Sequence, residues 1–260
     1  MDQAANTSGA ARFFRLGGDV GVDDDEIRRL YGYPASPNRC VVRANAIASL
    51  DGGATTGGTS GGLGGAGDRL LFAVQRELAD VIVVGAGTAR SENYGGARMS
   101  VAQRQRRQAR GQSEIPPIAL VTRSGVIEGD HAVLTGSEVA PLVLTCSDAA
   151  AGARIRVGAA AEVIDCSAAD PGQVDLATLL EELSGRGLLR VLTEGGPSLL
   201  GAFIAAGLLD EMCLTVAPVL VGGSAVRVAA GGADALTAML RADVLTDDSG
   251  YLYARYVRGD

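Results

Sequence analysis

The sequence predicts a three-layer α/β/α fold in which helices cover both faces of a mainly parallel central sheet. Short runs rich in Val, Ile and Leu alternate along the 260 residues with segments whose apolar residues recur at helical spacing. The composition is 47% hydrophobic but only 4% aromatic, with no Trp, which suits a buried sheet of aliphatic side chains. The alternating run SGYLYARYVR at residues 249–258 predicts an antiparallel C-terminal strand, half exposed or at a sheet edge.

The strands are expected in short apolar runs. The earlier ones are CVVRANAIAS from Cys40, DVIVVGAGT, PPIALVTRS, APLVLTCSD, AEVIDCS, LLRVLT and EMCLTVAPVLVGG, in chain order. Helices are expected at residues 23–31 and 68–79, in the polar segment before residue 116, at 174–187 and from Pro197 onward. Pro197 suits a first helical turn because its missing N–H would have no partner there.

The domain organisation follows from where these patterns begin. Residues 1–38 carry only the short helix and are interpreted as an N-terminal arm. No Pro- or Ser-rich linker interrupts the pattern after that point, so residues 39–260 are predicted to form a single domain.

Charge and composition exclude several functions. The net charge of −7 argues against a nucleic-acid partner, and the basic run RQRRQARGQ at residues 104–112 is interpreted as a solvated helix face. The single histidine, His131, argues against a His-based metal site or a Ser-His-Asp triad, so no metal is expected. We expect a cytoplasmic protein without a membrane partner, because no apolar run reaches about 18 residues and no signal-peptide pattern is present.

The segments that follow the strands indicate a dinucleotide site, since parallel sheets bind ligands beyond the carboxyl ends of their strands. Gly195-Gly196 lies between a strand and a helix, where backbone N–H groups and the positive helix end favour a pyrophosphate. Gly85-x-Gly87 is a similar turn, although tight turns also need glycine on their own account. Arg123 ends another strand and would suit the 2′-phosphate of NADP, or it is a surface residue in a turn.

The stretch from Gly52 to Gly67 holds nine glycines in sixteen positions. It is not a Walker loop, because no Lys-Ser/Thr follows it. It is not an interdomain linker either, because strand and helix patterns flank it directly. We interpret it as a wall of a binding site that either moves or approaches the ligand closely. The alternative is a low-complexity loop without a binding role.

Four segments in this order resemble one family: RANAIASLDG, DRLLFAVQRELADVIVVGAGTARSENY, ALVTRS and LLRVLTEGGPSLLGAFIAAGLLDEMCLTVAPVLVGG. They are similar to the reductase domain of riboflavin biosynthesis, which is related in fold to dihydrofolate reductase, over residues 40–257. The resemblance implies NADPH-dependent reduction of a ribosylaminopyrimidine phosphate, whose open-chain ribose becomes a ribityl group, and it implies a homodimer. Hydride comes from the nicotinamide, so the protein mainly aligns the reactants and supplies a proton.

The resemblance also assigns cofactor contacts. Backbone groups of Ala46 and Ile47 would meet the nicotinamide end, and the strand-end turns would hold the remainder. The complete set is Ala46, Ile47, Gly85, Gly87, Thr88, Thr122, Arg123, Ser124, Glu194, Gly195, Gly196, Pro197, Ser198 and Leu199.

The substrate side departs from the family pattern. An I-T-G-x-x-x-R-like stretch is GGAGDR here, a V-H-x-L-R-like segment is AVQREL, and D-x-P-x-L-x-x-R keeps only its Arg98. Asp68 is the candidate catalytic and substrate-binding carboxylate, or else a helix N-cap. Asp51 either shapes the substrate pocket or forms a turn. Arg69 and Arg98 either anchor a phosphate or carboxylate, or form surface salt bridges.

Three functions follow from these observations. The main hypothesis is an NADPH-dependent reductase of a pyrimidine or pterin, most like 5-amino-6-(5-phosphoribosylamino)uracil reductase. The altered substrate segments and Asp68 keep a dihydrofolate-reductase-like activity open. The third alternative is a non-catalytic NADP-binding regulatory module that has lost its substrate site.

Overall fold

The computed structural model describes residues 11–259. Its strands are β1 (Phe13–Arg15), β2 (Gly21–Val22), β3 (Val41–Ser49), β4 (Val81–Gly85), β5 (Ile118–Val121), β6 (Leu142–Thr145), β7 (Glu162–Asp165), β8 (Arg190–Thr193), β9 (Glu211–Ala217), β10 (Met239–Asp247) and β11 (Leu252–Arg258). Its α-helices are α1 (Asp24–Leu30), α2 (Ala66–Leu78), α3 (Ala86–Ser91), α4 (Val101–Ala109), α5 (Ala132–Thr135), α6 (Ser147–Val157), α7 (Leu176–Gly185) and α8 (Pro197–Ala205).

All of these strands form one sheet, in the order β2-β1-β10-β11-β9-β3-β8-β4-β5-β6-β7. The strands from β9 to β7 in this order pair in parallel, whereas β11 pairs antiparallel with β9. The predicted α/β/α fold, with its mainly parallel sheet and antiparallel C-terminal strand, is therefore confirmed. Of the two alternatives considered for that strand, the half-exposed one is observed, because most residues of β11 are half-buried. The edge position is wrong, because β11 lies between β10 and β9.

Helices cover both faces of the parallel strands, because successive side chains of a strand point to opposite faces. In β4, Val81 and Val83 pack with residues of α7 and α8 in one apolar cluster. Ile82 and Val84 pack on the other face with residues of α3, α5 and α6. A run that is apolar at every position is thus buried on both sides, which is what the unbroken VIVV of the sequence predicts.

The N-terminal segment contributes to the same sheet. β1 pairs with both β2 and β10, and α1 packs in a third apolar cluster with residues of α2, β9 and β11. The helix expected at residues 23–31 is confirmed as α1. The proposed division into an arm at 1–38 and a domain at 39–260 remains a prediction, since residues 1–10 lie outside the described part of the chain.

The basic run at residues 104–112 is only in part the solvated helix face that the sequence predicts, because Gln105 and residues 108–111 are exposed but Arg107 and Gln112 are buried. Arg107 is 0% exposed and donates to the carbonyl oxygens of Glu77 and Ala79, so it caps the carboxyl end of α2. Arg106 makes two 2.8 Å hydrogen bonds to the buried Glu77 carboxylate, and Arg110 approaches the same group. The arginines therefore bind the protein's own helix rather than an external anion.

Candidate active site

A cavity of about 480 Å³ lies at the carboxyl ends of β3, β4 and β8. It is the position at which a parallel sheet of this kind is expected to bind a ligand. Its lining is largely apolar, with a few charged and amide side chains. The lining residues are Asn45, Ala46, Ile47, Ala54, Thr55, Gly58, Ser60, Gly61, Gly64, Asp68, Arg69, Phe72, Thr88, Ser91, Glu92, Tyr94, Glu194, Gly195, Gly196, Pro197, Leu200, Val226 and Val228.

The glycine-rich stretch forms one wall of this cavity. Ala54 donates its N–H to the carbonyl of Val226, and Ser60 donates its N–H to the Glu92 carboxylate at 2.7 Å. The stretch is therefore tied at one point to the segment after β9 and at another to the segment after α3. This placement agrees better with a wall of a binding site than with a low-complexity loop that has no binding role.

Asp51 lies outside the cavity lining. Its carboxylate accepts the Ser49 hydroxyl and the backbone N–H groups of Val221 and Gly222. The Ser49 hydrogen bond, followed by these two N–H groups, lowers the pKa of Asp51 to about 2. The side chain thus ties the turn after β3 to the turn after β9, which corresponds to the turn-forming alternative.

Asp68 lies in the cavity wall, in the first turn of α2. The residue that caps this helix is Gly65, without a side-chain hydrogen bond, so Asp68 does not act as the N-cap. Burial raises the pKa of Asp68 above its ordinary value, although the Thr215 side chain and the Arg69 charge act in the opposite direction. A carboxyl group with a raised pKa beside a cavity is suited to hold or exchange a proton.

The two candidate anchoring arginines line two adjoining cavities. Arg69 lines the main cavity, and Arg98 lines an adjoining cavity of about 400 Å³ that shares Ser60, Thr88 and Glu194 with it. Neither arginine is paired with a carboxylate of residues 11–259. The alternative interpretation, in which Arg69 and Arg98 form surface salt bridges, therefore does not agree with the described residues.

The turn between β8 and α8 presents a helix N-terminus to the cavity. Gly195 has a φ of 81°, a conformation that favours glycine, and its carbonyl accepts the N–H of Gly85 at 2.8 Å. A Cβ on Gly196 would overlap the hydroxyl of Thr88, which accepts the Gly196 N–H at 3.1 Å. No side chain caps α8, and Pro197 occupies its first turn. A phosphate group could therefore approach this turn closely.

Glu194, in the same turn, has its carboxylate occupied by the protein. Arg76 of α2 binds it with two 2.7 Å hydrogen bonds, and the Tyr94 hydroxyl donates to it at 2.7 Å. Burial raises the pKa of Tyr94 well above its ordinary value, which keeps this hydroxyl protonated. The ion pair offsets the negative charge of Glu194 beside the anion-binding turn and joins α2 to it.

The remaining predicted cofactor residues are arranged along the sheet edge. Ala46, Ile47 and Thr88 line the cavity, whereas Gly85 and Gly87 form the turn into α3 without lining it. Ser198 and Leu199 lie in the first turn of α8 behind Pro197. Residues 122–124 lie at the end of β5, one strand beyond β4, with Arg123 and Ser124 exposed. An extended ligand would have to cross β4 to reach them.

Several lining residues were not predicted from the sequence. Asn45 lies on the same face of β3 as Ile47, and strand alternation could have indicated it. Phe72 stacks on the guanidinium of Arg76 at 4.2 Å, and helical spacing from Asp68 could have indicated it. Val226 and Val228 follow β9 in an irregular segment that carries no such signal.

No group of three or more His, Cys, Asp or Glu side chains within residues 11–259 is arranged to hold a metal ion. No helix in the same range has both the length and the apolar character needed to cross a membrane.

The family model described as the RibD C-terminal domain matches residues 40–253. The chain belongs to the RibD C-terminal domain family. It is 32% identical over 196 residues, which are 75% of this chain and 85% of the relative, to the 2,5-diamino-6-ribosylamino-4(3H)-pyrimidinone 5′-phosphate reductase of Methanothermobacter thermautotrophicus. It is also 26% identical over 203 residues to the riboflavin biosynthesis protein RibD of Bacillus amyloliquefaciens, covering 77% of this chain and 51% of that protein.

A solved structure supports the same membership. The pyrimidine reductase-like protein of Corynebacterium diphtheriae superimposes with a TM-score of 0.76 at 28% identity, covering 90% of this chain and 99% of its own. A member of the RibD C-terminal domain family with these relatives is an oxidoreductase of the reductase type. The resemblance drawn from the strand-end motifs is thereby confirmed.

Proposed function

We propose that this chain is an NADPH-dependent reductase of a ribosylaminopyrimidine 5′-phosphate in riboflavin biosynthesis. The observation that carries the proposal is a single cavity that joins an uncapped helix N-terminus to the half-buried carboxyl group of Asp68, with Arg69, an arginine that has no carboxylate partner within residues 11–259, beside it. The first of these suits a dinucleotide phosphate, the second a proton transfer, and the third a substrate phosphate.

The residues of this chain fit a nicotinamide dinucleotide. The helix α8 begins at the cavity without a side-chain cap, glycine is required at 196 because a Cβ there would overlap Thr88, and the Glu194 charge is offset by Arg76. When bound, the dinucleotide supplies the hydride. NADPH is favoured over NADH by Arg123, which is exposed at the end of β5 and could pair with a 2′-phosphate.

The other groups of the site act on the substrate. Reduction of the open-chain imine places a hydride on the ribose carbon and a proton on the nitrogen. Asp68 would bind the pyrimidine edge and hold a proton, and Arg69 and Arg98 would bind the phosphate. Apolar side chains such as Phe72 and Val226 exclude water from the reacting atoms, which strengthens each of these interactions.

A dihydrofolate-reductase-like activity is the second candidate, because a carboxylate such as Asp68 can also bind the N–C–N edge of a pterin. The experiment is to follow NADPH oxidation by absorbance with either a ribosylaminopyrimidine phosphate or dihydrofolate. We expect acceleration with the first substrate only. If dihydrofolate alone accelerates NADPH oxidation, the dihydrofolate-reductase-like activity replaces the first proposal. Acceleration by neither substrate would favour the regulatory-module alternative.

We also propose that the protein is a cytoplasmic homodimer. Support for the dimer comes from exposed apolar side chains on two adjacent turns, where Leu50 donates its N–H to Val219 and Leu220 follows. Support for a reducing compartment comes from four cysteines that are all buried and unpaired. Light scattering coupled to gel filtration should give about twice the 26.4 kDa mass of one chain.

A further inference from the structure

Two amide side chains meet at the inner end of the cavity. Gln75 of α2 donates from Nε2 to Oδ1 of Asn45 on β3, at 2.9 Å. Gln75 is 1% exposed, and Asn45 lines the cavity. Both residues lie on facing surfaces of α2 and β3, the same layer that carries Asp68 and Phe72.

This contact determines which end of the Asn45 amide is available to a ligand. An amide has an acceptor end and a donor end, and its orientation is assigned from its hydrogen bonds. Since Oδ1 of Asn45 is bound to Gln75, the Nδ2 group is the end left for the cavity. This Nδ2 group has no hydrogen-bond partner within residues 11–259, and it is not among the fully buried unpartnered atoms.

Gln75 is an unusual residue for its position in the helix. The buried residues of α2 beside it include Leu71, Val74 and Leu78. The buried Glu77 is paired by Arg106, whereas the Oε1 atom of Gln75 accepts no hydrogen bond from any residue that the structure describes. A buried amide with a partly unused polar group stabilises a fold little, and an apolar residue of the same size costs little there, because Asn45 lines the cavity and is not left buried without a partner. Its contribution is therefore better sought in the orientation of Asn45 than in stability.

We propose that Asn45 contacts the bound ligand and that Gln75 is its positioning residue. In this arrangement the Nδ2 group of Asn45 donates to a carbonyl oxygen at the inner end of the cavity. The proposal rests on the proposed function for the identity of that oxygen. It belongs either to the carboxamide of the nicotinamide or to the carbonyl of the pyrimidinone, and the two sources are separated by experiment.

The test uses Asn45→Ala, Gln75→Met and the double variant, with Gln112→Met as the matched control. Gln112 is a second buried glutamine, remote from the cavity, whose Nε2 donates to Leu78 at 3.0 Å and to Asp80 at 2.7 Å. For each protein, KM for NADPH and KM for the ribosylaminopyrimidine phosphate are measured, together with the midpoint of thermal unfolding.

We expect Asn45→Ala and Gln75→Met each to raise one of the two KM values by about threefold to tenfold, the effect of one hydrogen bond. The double variant should be no worse than Asn45→Ala alone, because Gln75 acts only through Asn45. Gln75→Met should leave the unfolding midpoint unchanged or higher. Gln112→Met should lower the midpoint and leave both KM values unchanged. The affected KM identifies the ligand that supplies the oxygen.

The proposal is overturned if Gln75→Met behaves as Gln112→Met does, or if the effects of Asn45→Ala and Gln75→Met add. A wild-type protein without turnover would instead contradict the proposed function. In that case the dissociation constants for NADP⁺ and for the ribosylaminopyrimidine phosphate are measured on the same proteins, and equal values of both constants in all of them would overturn the proposal for the amide pair as well.

Discussion

The chemistry of Asp68 is decided by its surroundings more than by its place in the helix. A carboxylate in the first turn of a helix is ordinarily stabilised in its charged form by the helix dipole. Here burial raises the pKa of Asp68 above its ordinary value. The sequence predicts a first-turn acid at residue 68 from local spacing. It could not predict the burial, which depends on the glycine-rich wall and on Thr215 of β9.

The first prediction concerns stability and activity of Asp68→Asn. The folded state has the higher pKa, so between the two pKa values it binds more protons than the unfolded state, and stability falls as pH rises through that interval. An uncharged Asn avoids this loss. The variant should therefore gain more stability at about pH 7 than at about pH 4, while its kcat/KM falls at least about tenfold. Urea unfolding at both pH values and steady-state kinetics measure the two effects.

Opposite changes in stability and activity are the signature of a group kept for its chemistry. If kcat/KM of Asp68→Asn is unchanged, Asp68 has no role in the reaction and is only an acidic residue in the first turn of α2. Asp175, a half-buried N-cap whose side chain accepts the Thr178 N–H, is the control. Its pKa is lowered by the Thr178 hydrogen bond, so Asp175→Asn should lose stability mainly near neutral pH and keep its activity.

At the scale of elements, the β8–α8 turn shows what local sequence can and cannot predict. Gly195-Gly196-Pro197 between a strand and a helix pattern predicts the turn and its exposed N-terminus correctly, because both depend on neighbouring residues. The contact from Thr88 to Gly196 joins residues 108 positions apart. It could not be predicted, because it depends on β4 and β8 lying side by side in the sheet.

The second prediction is that Gly196→Ala weakens cofactor binding. The new Cβ would overlap the Thr88 hydroxyl, so either the turn or the Thr88 rotamer must move. Such overpacking costs about 1–3 kcal/mol. We expect lower stability and a rise in KM for NADPH of about tenfold or more. Adding Thr88→Ala removes the overlapping hydroxyl and should restore stability more than it restores KM.

Gly185→Ala is the matched control for this change. Gly185 ends α7, and a Cβ there would meet nothing within 4 Å. Alanine favours helix over glycine, so this variant should be as stable as the wild type or slightly more so, with unchanged kinetics. If Gly196→Ala is equally harmless, the β8–α8 turn does not approach the cofactor closely.

At the scale of the whole molecule, the parallel strands and the antiparallel C-terminal strand β11 were predictable, whereas β1, β2 and β10 were not. Unbroken aliphatic runs such as VIVVG indicate strands buried on both faces wherever they occur. β10 has the mixed sequence MLRADVLTD and a bulge between Arg241 and Asp243, so it lacks both apolar continuity and clean alternation. β1 is only three residues long and is defined by its pairing with β10 at the far end of the chain.

The buried Arg43 explains why the segment before residue 39 is held against the domain. Its side chain is 0% exposed and binds the Glu211 carboxylate at 2.9 Å. It also donates to the carbonyl of Tyr31 at 2.6 Å and stacks on the ring of Tyr33 at 4.0 Å. A buried guanidinium without these partners would be costly, so the sheet and the N-terminal segment stabilise each other.

The last prediction tests this dependence with Ile27→Ala in α1. Ile27 is 0% exposed and packs in the cluster that contains residues of α2, β9 and β11. Deleting its side chain there should cost about 2–5 kcal/mol in urea unfolding. Leu16→Ala, at a residue 57% exposed in the same segment, should cost less than about 0.5 kcal/mol. Both variants should keep the wild-type KM values, because neither residue lines the cavity. If both variants lower the free energy of unfolding by the same small amount, the N-terminal segment is a loose arm. The expected difference between them would instead show that α1 is part of the folded domain.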